Sequence, residues 1–213
     1  MHESGCNQEL GKIVPVVVLD NGDRATELAR AFLDGGLRSV EITMRTSAAL
    51  GAIERIARDV PEIVVGAGTV LNLSMAQEAV HAGVRFIVSP GLDQNVVSWC
   101  KEHQVQVFPG VVTPTEIMAA LELGINQVKF FPAEQSGGVR MLKALSAPFP
   151  GVRFMPTGGI SLKNLREYLS LPNVIACGGS WLCPKTMIEA GDFAEIAVLC
   201  KEAIKLAESP DCP

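Results

Sequence analysis

Aromatic residues are scarce in this chain: they make up 5% of its 213 residues, with one tyrosine and two tryptophans. Nucleic-acid surfaces lean on basic blocks interleaved with aromatics, so a chain of formal charge −5 with neither has little to offer DNA or RNA. Long apolar runs are missing too. The longest, Ile13 to Leu19, is interrupted by Pro15 and falls far short of the roughly eighteen residues of a membrane span. No basic segment precedes it and no small-residue cleavage pattern follows, so no signal peptide is read and a cytoplasmic location is expected. The six cysteines, Cys6, Cys100, Cys177, Cys183, Cys200 and Cys212, are scattered without a CxxC pair and read as reduced thiols, with no disulfide predicted. His2, His81 and His103 stand apart from one another and from any cysteine pair. They read as surface histidines; no metal site and no cofactor is expected.

What the chain does have is apolar content in short, regular pieces. At 48% hydrophobic and 19% charged residues it can bury a sizeable core, and no linker, low-complexity segment or composition shift divides it, so residues 1–213 are expected to form a single domain. Eight β-rich runs recur: "IVPVVVL" from Ile13, "LRSVEI" from Leu37, "IVVGAG" from Ile63, "RFIVSP" from Arg85, "VQVFPG" from Val105, "QVKFFP" from Gln127, "VRFMPTGG" from Val152 and "VIACGGS" from Val174. Helical patterns lie between them. In "RATELARAFLDGG", Leu28, Ala31 and Phe32 share one face and Gly35-Gly36 ends the helix. Ser74 with Gln77, and Thr113 with Pro114 and Glu116, have the spacing of capped helix entries. Helices between strands make the strands parallel, and eight strand–helix units favour a (β/α)₈ TIM barrel over an open doubly wound α/β sheet. The polar opening "MHESGCNQELGK" reads as a short lead-in helix or a frayed end. Met44, Met118, Met141 and Met155 read as core or pocket filling.

A barrel of this kind carries its active site at the carboxy ends of its strands, and unusual polar residues gather there. Strand two ends with Glu41 and Arg45, strand three with Thr69, strand six with Lys129, strand seven with Thr157, Gly158 and Gly159, and strand eight with Gly178, Gly179 and Ser180. Side chains alternate along a strand, so Val40 and Ile42 facing the helices send Glu41 inward, and Val128 and Phe130 facing outward send Lys129 inward. A lysine at a strand end ordinarily snorkels to solvent, and a glutamate beside an arginine is ordinarily a local ion pair. Inward parity with an acid aimed at the same mouth reverses that expectation for Lys129. Gly-Gly pairs commonly serve turns, yet two of them after strands seven and eight match the place where barrels hold phosphate on backbone N–H groups and a short helix N-terminus.

A lysine in a desolvated pocket, with no metal ligands near it in sequence, points to covalent catalysis through a Schiff base. Glu41 is then the base that takes a proton from the carbon beside the imine. Arg45 and Thr69 suit the carboxylate of a 2-keto acid, and the glycine pairs suit a phosphate at the far end of the partner. These parts describe a metal-independent aldolase.

The serial motifs "VEITMRT", "VGAGTVL", "FIVSPG", "FPGVVTPTE", "VKFFPAE", "FMPTGGIS" and "CGGSWL" resemble those of the 2-keto-3-deoxy-6-phosphogluconate (KDPG) aldolase / 4-hydroxy-2-oxoglutarate (KHG) aldolase family, over essentially the whole chain. The resemblance implies a class I aldolase with a (β/α)₈ fold, usually a homotrimer, that splits 2-dehydro-3-deoxy-6-phosphogluconate reversibly into pyruvate and glyceraldehyde 3-phosphate in the Entner-Doudoroff route. By motif it implies Lys129 as the Schiff-base lysine and Glu41 as general acid/base. It further implies Arg45 and Thr69 as carboxylate binders, Pro90, Phe131 and Thr157 as pocket lining, and Gly158, Gly159, Gly179 and Ser180 as a phosphate cradle. The related 2-keto-3-deoxy-6-phosphogalactonate aldolases carry "EIPLNS"-like and "KIFP"-like segments; "EITMRT" and "KFFPAE" favour the gluconate epimer. Outside this class stand a sugar-phosphate isomerase or synthase barrel, with Glu41 as base and no imine, and a phosphate-ligand binding module that merely keeps the fold.

Overall fold

The computed structural model of the chain describes residues 10–209. The expected lead-in helix, and Cys6, Cys212 and His2, therefore lie outside the described residues, apart from the last residues of the lead-in. Each β-rich run of the sequence becomes a strand: β1 (Ile13–Val17), β2 (Ser39–Thr43), β3 (Val64–Gly68), β4 (Phe86–Val88), β5 (Gln106–Phe108), β6 (Gly110–Val111), β7 (Gln127–Phe130), β8 (Arg153–Pro156) and β9 (Cys177–Gly179). The helices between them are α1 (Ala25–Asp34), α2 (Ala49–Asp59), α3 (Leu73–His81), α4 (Gln94–Glu102), α5 (Pro114–Glu122), α6 (Gly138–Ser146), α7 (Leu165–Leu169), α8 (Lys185–Ala190) and α9 (Phe193–Ala207).

The strands pair in parallel, in the orders β5-β4-β3-β2-β1-β9 and β6-β7-β8. The fifth run of the sequence, expected as one strand, is split at Pro109 into β5 and β6. Proline has no N–H to give a ladder, but its carbonyl still accepts from Lys129 N at 2.9 Å. The chain thus leaves β4 and joins β7 at that residue. At the other seam, parallel bridges Phe154↔Val174 and Thr157↔Gly178 tie β8 to the segment running into β9. The result is an α/β fold on a curled parallel sheet.

Period-two alternation divides the core into two layers. Val40, Ile42, Val128 and Phe130 face outward and pack with helix residues such as Leu28, Phe32, Ile53 and Ile56 in one buried cluster. Val14, Val64, Phe86, Val88, Phe108 and Met155 face inward with Leu10 in a second. Phe86 and Phe108 meet edge to face there, with ring centroids 6.2 Å apart. Each such side chain contributes about 1.5–3 kcal/mol on burial, which makes the inner cluster a rigid floor beneath the polar residues above it.

Two local expectations are corrected. Helix α3 is capped by Asn72, whose side chain accepts from Met75 N, while Ser74 lies inside the helix and its hydroxyl donates to Glu78 Oε1 at 3.0 Å. Met155 is fully buried and Met44 and Met141 pack against the outer core, but Met118 is 56% exposed on α5. The capping box of α5 stands as expected, with Thr113 and Glu116 bonded reciprocally and Pro114 opening the helix. His81 and His103 are exposed. Cys100, Cys183 and Cys200 are buried thiols, and burial pushes the Cys100 thiol up to about 11.

Candidate active site

Lys129 is the third residue of β7 and Glu41 the third of β2, and their inward parity brings them together across the curled sheet. Lys129 Nζ lies 3.4 Å from Glu41 Oε1, with the two side chains 6% and 1% exposed. Isolated, either charge would be costly in that position; together they form a buried pair. The second carboxylate oxygen, Glu41 Oε2, is buried without a hydrogen-bond partner. The ammonium also sits over the Phe131 ring, 5.0 Å from its centroid.

Glycine makes room for this pair. Thr43 of β2 is in register with Gly68 of β3, and a Cβ on Gly68 would stand 1.9 Å from Glu41 Oε1. Gly68 lies inside the motif "VGAGTVL", and nothing in the spacing of that motif marks it for this role. Thr43 was missed as well: it is fully buried and its hydroxyl donates to Val17 O at 2.9 Å, fastening β2 to β1 just beyond Glu41.

Beyond β2 the ladder continues, with Met44 N donating to Gly68 O at 2.7 Å, and this delivers Arg45 to Thr69. Arg45 Nε donates to Thr69 Oγ1 at 2.9 Å. Thr69 has φ of +56°, which a β-branched residue adopts only at a cost of about 1–3 kcal/mol. Arg45 is exposed and Thr69 half-buried. Among the described residues no hydrogen bond or ion pair joins Arg45 to Lys129 or Glu41, so the two expected groupings are neighbours along the strands rather than one network.

On the far side, Thr157 is buried after β8 and bridges to Gly178, where a Cβ would lie 2.4 Å from Thr157 Oγ1. Gly158 and Gly159 follow with φ of +102° and +80°. Two hydrogen bonds, from Ala133 N to Thr157 O at 2.9 Å and from Glu134 N to Gly158 O at 3.1 Å, tie the segment after β7 to this turn. Glu134, also missed from sequence, accepts from the Tyr168 hydroxyl. Burial, and then that bond, push the Tyr168 phenol above its ordinary range. Gly179 is buried under the Trp181 ring and Ser180 is exposed. The segment after β9 forms a turn, Cys183 N donating to Ser180 O at 3.3 Å, and helix α8 begins only at Lys185. A short helix N-terminus, expected there, is replaced by that turn. Pro90 is half-buried beside Gly110, the residue in register with Lys129.

A family model described as KDPG and KHG aldolase matches residues 6–199. The chain belongs to the KDPG and KHG aldolase family. A 2-dehydro-3-deoxy-phosphogluconate aldolase of Treponema pallidum is 47% identical over 92% of this chain and 93% of its own. A KHG/KDPG aldolase of Escherichia coli is 45% identical over 93% of each. Among solved structures, a KDPG aldolase from Legionella pneumophila, with pyruvate captured at low pH as a covalent carbinolamine intermediate, superimposes with a TM-score of 0.90 at 39% identity, covering 93% of this chain and 97% of that one. The chain is thus an aldolase by family, and the motifs that suggested it run through the matched length.

Proposed function

We propose that this aldolase cleaves 2-dehydro-3-deoxy-6-phosphogluconate reversibly to pyruvate and glyceraldehyde 3-phosphate, and 4-hydroxy-2-oxoglutarate to pyruvate and glyoxylate, through an imine on Lys129. The observation that carries this reading is the buried Lys129–Glu41 pair at 3.4 Å with Glu41 Oε2 unpartnered. An amine and a base held side by side, away from water, are the two groups that enamine chemistry needs.

In the condensing direction, the neutral amine of Lys129 attacks C2 of pyruvate and the carbonyl electron pair goes to oxygen, giving a carbinolamine, the kind of species captured in the Legionella relative. Glu41, carrying the proton given up by the Lys129 ammonium, passes it to the carbinolamine hydroxyl, which leaves as water, so a protonated imine remains beside the Glu41 carboxylate. Glu41 takes a proton from C3, and the C–H electron pair becomes the C2–C3 double bond of an enamine. C3 then attacks the aldehyde carbon, whose oxygen takes the proton back from Glu41. Water adds to the imine and frees the product and the amine; cleavage is the same sequence reversed. The imine serves as the electron sink, so no cofactor or metal enters the steps.

Arg45 and Thr69, already bonded to each other, receive the pyruvate carboxylate, the strained Thr69 backbone aiming its hydroxyl. Pro90, Phe131 and Thr157 line the keto acid, and Gly158, Gly159, Gly179 and Ser180 take the phosphate. The two seams at Pro109 and Thr157–Gly178 support closure of the sheet as a (β/α)₈ barrel, with residues 1–213 as one domain. We place the enzyme in the cytoplasm as a homotrimer on the family resemblance.

The test is to incubate the protein with pyruvate and a chelator, reduce with borohydride and map the modified peptide by mass spectrometry. A reduced pyruvate adduct on Lys129 is expected. Folded protein with Lys129 unmodified would remove the imine and return the isomerase reading, with Glu41 as base, or the phosphate-ligand binding module.

A further inference from the structure

The segment that follows β7 is held against the Gly158–Gly159 turn through Glu134, at its backbone, its stem and its carboxylate. Its N–H donates to Gly158 O at 3.1 Å, its stem lies on Gly159, where a Cβ would stand 2.5 Å from Glu134 Cγ, and its carboxylate accepts from the Tyr168 hydroxyl. The Tyr168 ring is fully buried in the outer core on α7, so its hydroxyl is the fixed end of that bond. Glu134 is exposed, and a glutamate on a surface has several rotamers open to it. The bond from Tyr168 therefore decides where the carboxylate lies.

The same short helix grips the turn from its other end. Asn164 stands at the N-cap position of α7, where an asparagine side chain ordinarily accepts from a backbone N–H of the first turn. It makes no such bond. Its Nδ2 instead donates to Gly159 O at 3.0 Å, and its Oδ1 accepts from Ser161 N at 2.8 Å. A cap is forgone on a helix of only 5 residues, and the side chain fixes the turn from Gly159 to Ser161 in its place.

With Gly158 O, Gly159 O and Ser161 N engaged, the N–H groups of Gly159 and Ile160 have no acceptor among the described residues. Paired backbone donors of this kind suit the oxygens of an anion. The protein has an anion of its own beside them, the Glu134 carboxylate, whose stem rests on Gly159. Released from Tyr168, that carboxylate can turn onto the same donors, where it would compete with a phosphate and repel it.

We propose that Tyr168 is a positioning residue that sets specificity: by holding the Glu134 carboxylate, it keeps the N–H groups of the Gly158–Gly159 turn for the phosphate of the aldehyde partner. The inference rests on the phosphate cradle of the proposed function and deepens it by naming what holds the protein's own anion off that cradle. Tyr168 acts through Glu134 and not on the substrate.

The experiment is steady-state condensation of pyruvate with glyceraldehyde 3-phosphate and, separately, with glyceraldehyde, which lacks only the phosphate. In Tyr168→Phe the ring and its packing stay and the hydroxyl goes. The KM for glyceraldehyde 3-phosphate should rise about fivefold to tenfold with kcat little changed, while both constants for glyceraldehyde stay near those of the parent. Adding Glu134→Gln to Tyr168→Phe removes the competing charge and should bring that KM back toward the parent value. A merely structural role predicts no rescue, because the double variant lacks the same hydroxyl. Equal shifts for the two aldehydes in Tyr168→Phe, no shift for either, or no rescue by Glu134→Gln would overturn the proposal. A parent protein inactive with both aldehydes, or without preference for the phosphorylated one, would instead remove the reading on which the proposal rests, and the proposal with it.

Discussion

Glu41 and Lys129 sit 88 residues apart in sequence and 3.4 Å apart in space, paired with each other and shielded from solvent. Removing one of such a pair strands the other, at a cost of about 3–5 kcal/mol, so isosteric changes are the informative ones. Glu41→Gln keeps the shape and loses the base. The pyruvate adduct should still form on Lys129, while exchange of the pyruvate methyl hydrogens in D₂O, followed by proton NMR, should slow about 10²–10⁴-fold. Exchange at the native rate would remove Glu41 from proton transfer. Gly68→Ala tests the packing behind it: the new methyl would overlap Glu41 Oε1, so the carboxylate must move. We expect a stability loss of about 1–3 kcal/mol in urea melts and a fall in kcat that persists well below the melting range. Strand parity makes Glu41 and Lys129 legible in the sequence. Gly68 was not legible, because its role comes from the register of β3 against β2, which no residue spacing reveals.

At the scale of elements, helix entries separate what pattern shows from what it suggests. "SMAQ" has capping-box spacing at Ser74, yet α3 begins at Leu73 and Asn72 caps it. Asn72→Ala should lower stability by about 1 kcal/mol and Ser74→Ala by less than about 0.5 kcal/mol, read from chemical melts of the two variants. Equal losses would put the cap elsewhere. At α5 the pattern and the structure agree. Burial alone would raise the Glu116 carboxyl, but bonds from Val112 N, Thr113 N and the Thr113 hydroxyl outweigh it and hold the group below its ordinary range. A carboxyl depressed in the folded state adds stability above its unfolded value, near 4.5, and loses it as pH falls through the folded one. Glu116→Gln should therefore be less stable than the parent near neutrality and converge with it as the pH drops below about 4.5, by melts across pH. The split of the fifth strand at Pro109 is of the same kind: a β-rich run predicts an extended segment, and which neighbour each half pairs with depends on where the chain turns from β4 to β7.

For the whole molecule, the proposed homotrimer predicts a native mass three times the 22.7 kDa chain in light scattering at micromolar protein; the mass of a single chain would withdraw it. No helix among the described residues is long and apolar enough to cross a membrane, in keeping with the short apolar runs of the sequence. The sequence by itself determined the order of strands and helices, the parallel sense that helices between strands impose, the inward direction of Glu41 and Lys129, and the family motifs. These are local properties, set by period-two and period-3.6 spacing and by residues contiguous in the chain. Only the tertiary structure decided which distant residues meet: Gly68 behind Glu41, Arg45 on Thr69, Gly178 under Thr157, and the segment after β7 bonded to the Thr157–Gly158 turn. Those contacts depend on how far each strand is staggered against the next and on how the sheet curls. Stagger and curl arise from packing an inner and an outer core at once, and no stretch of sequence encodes that alone.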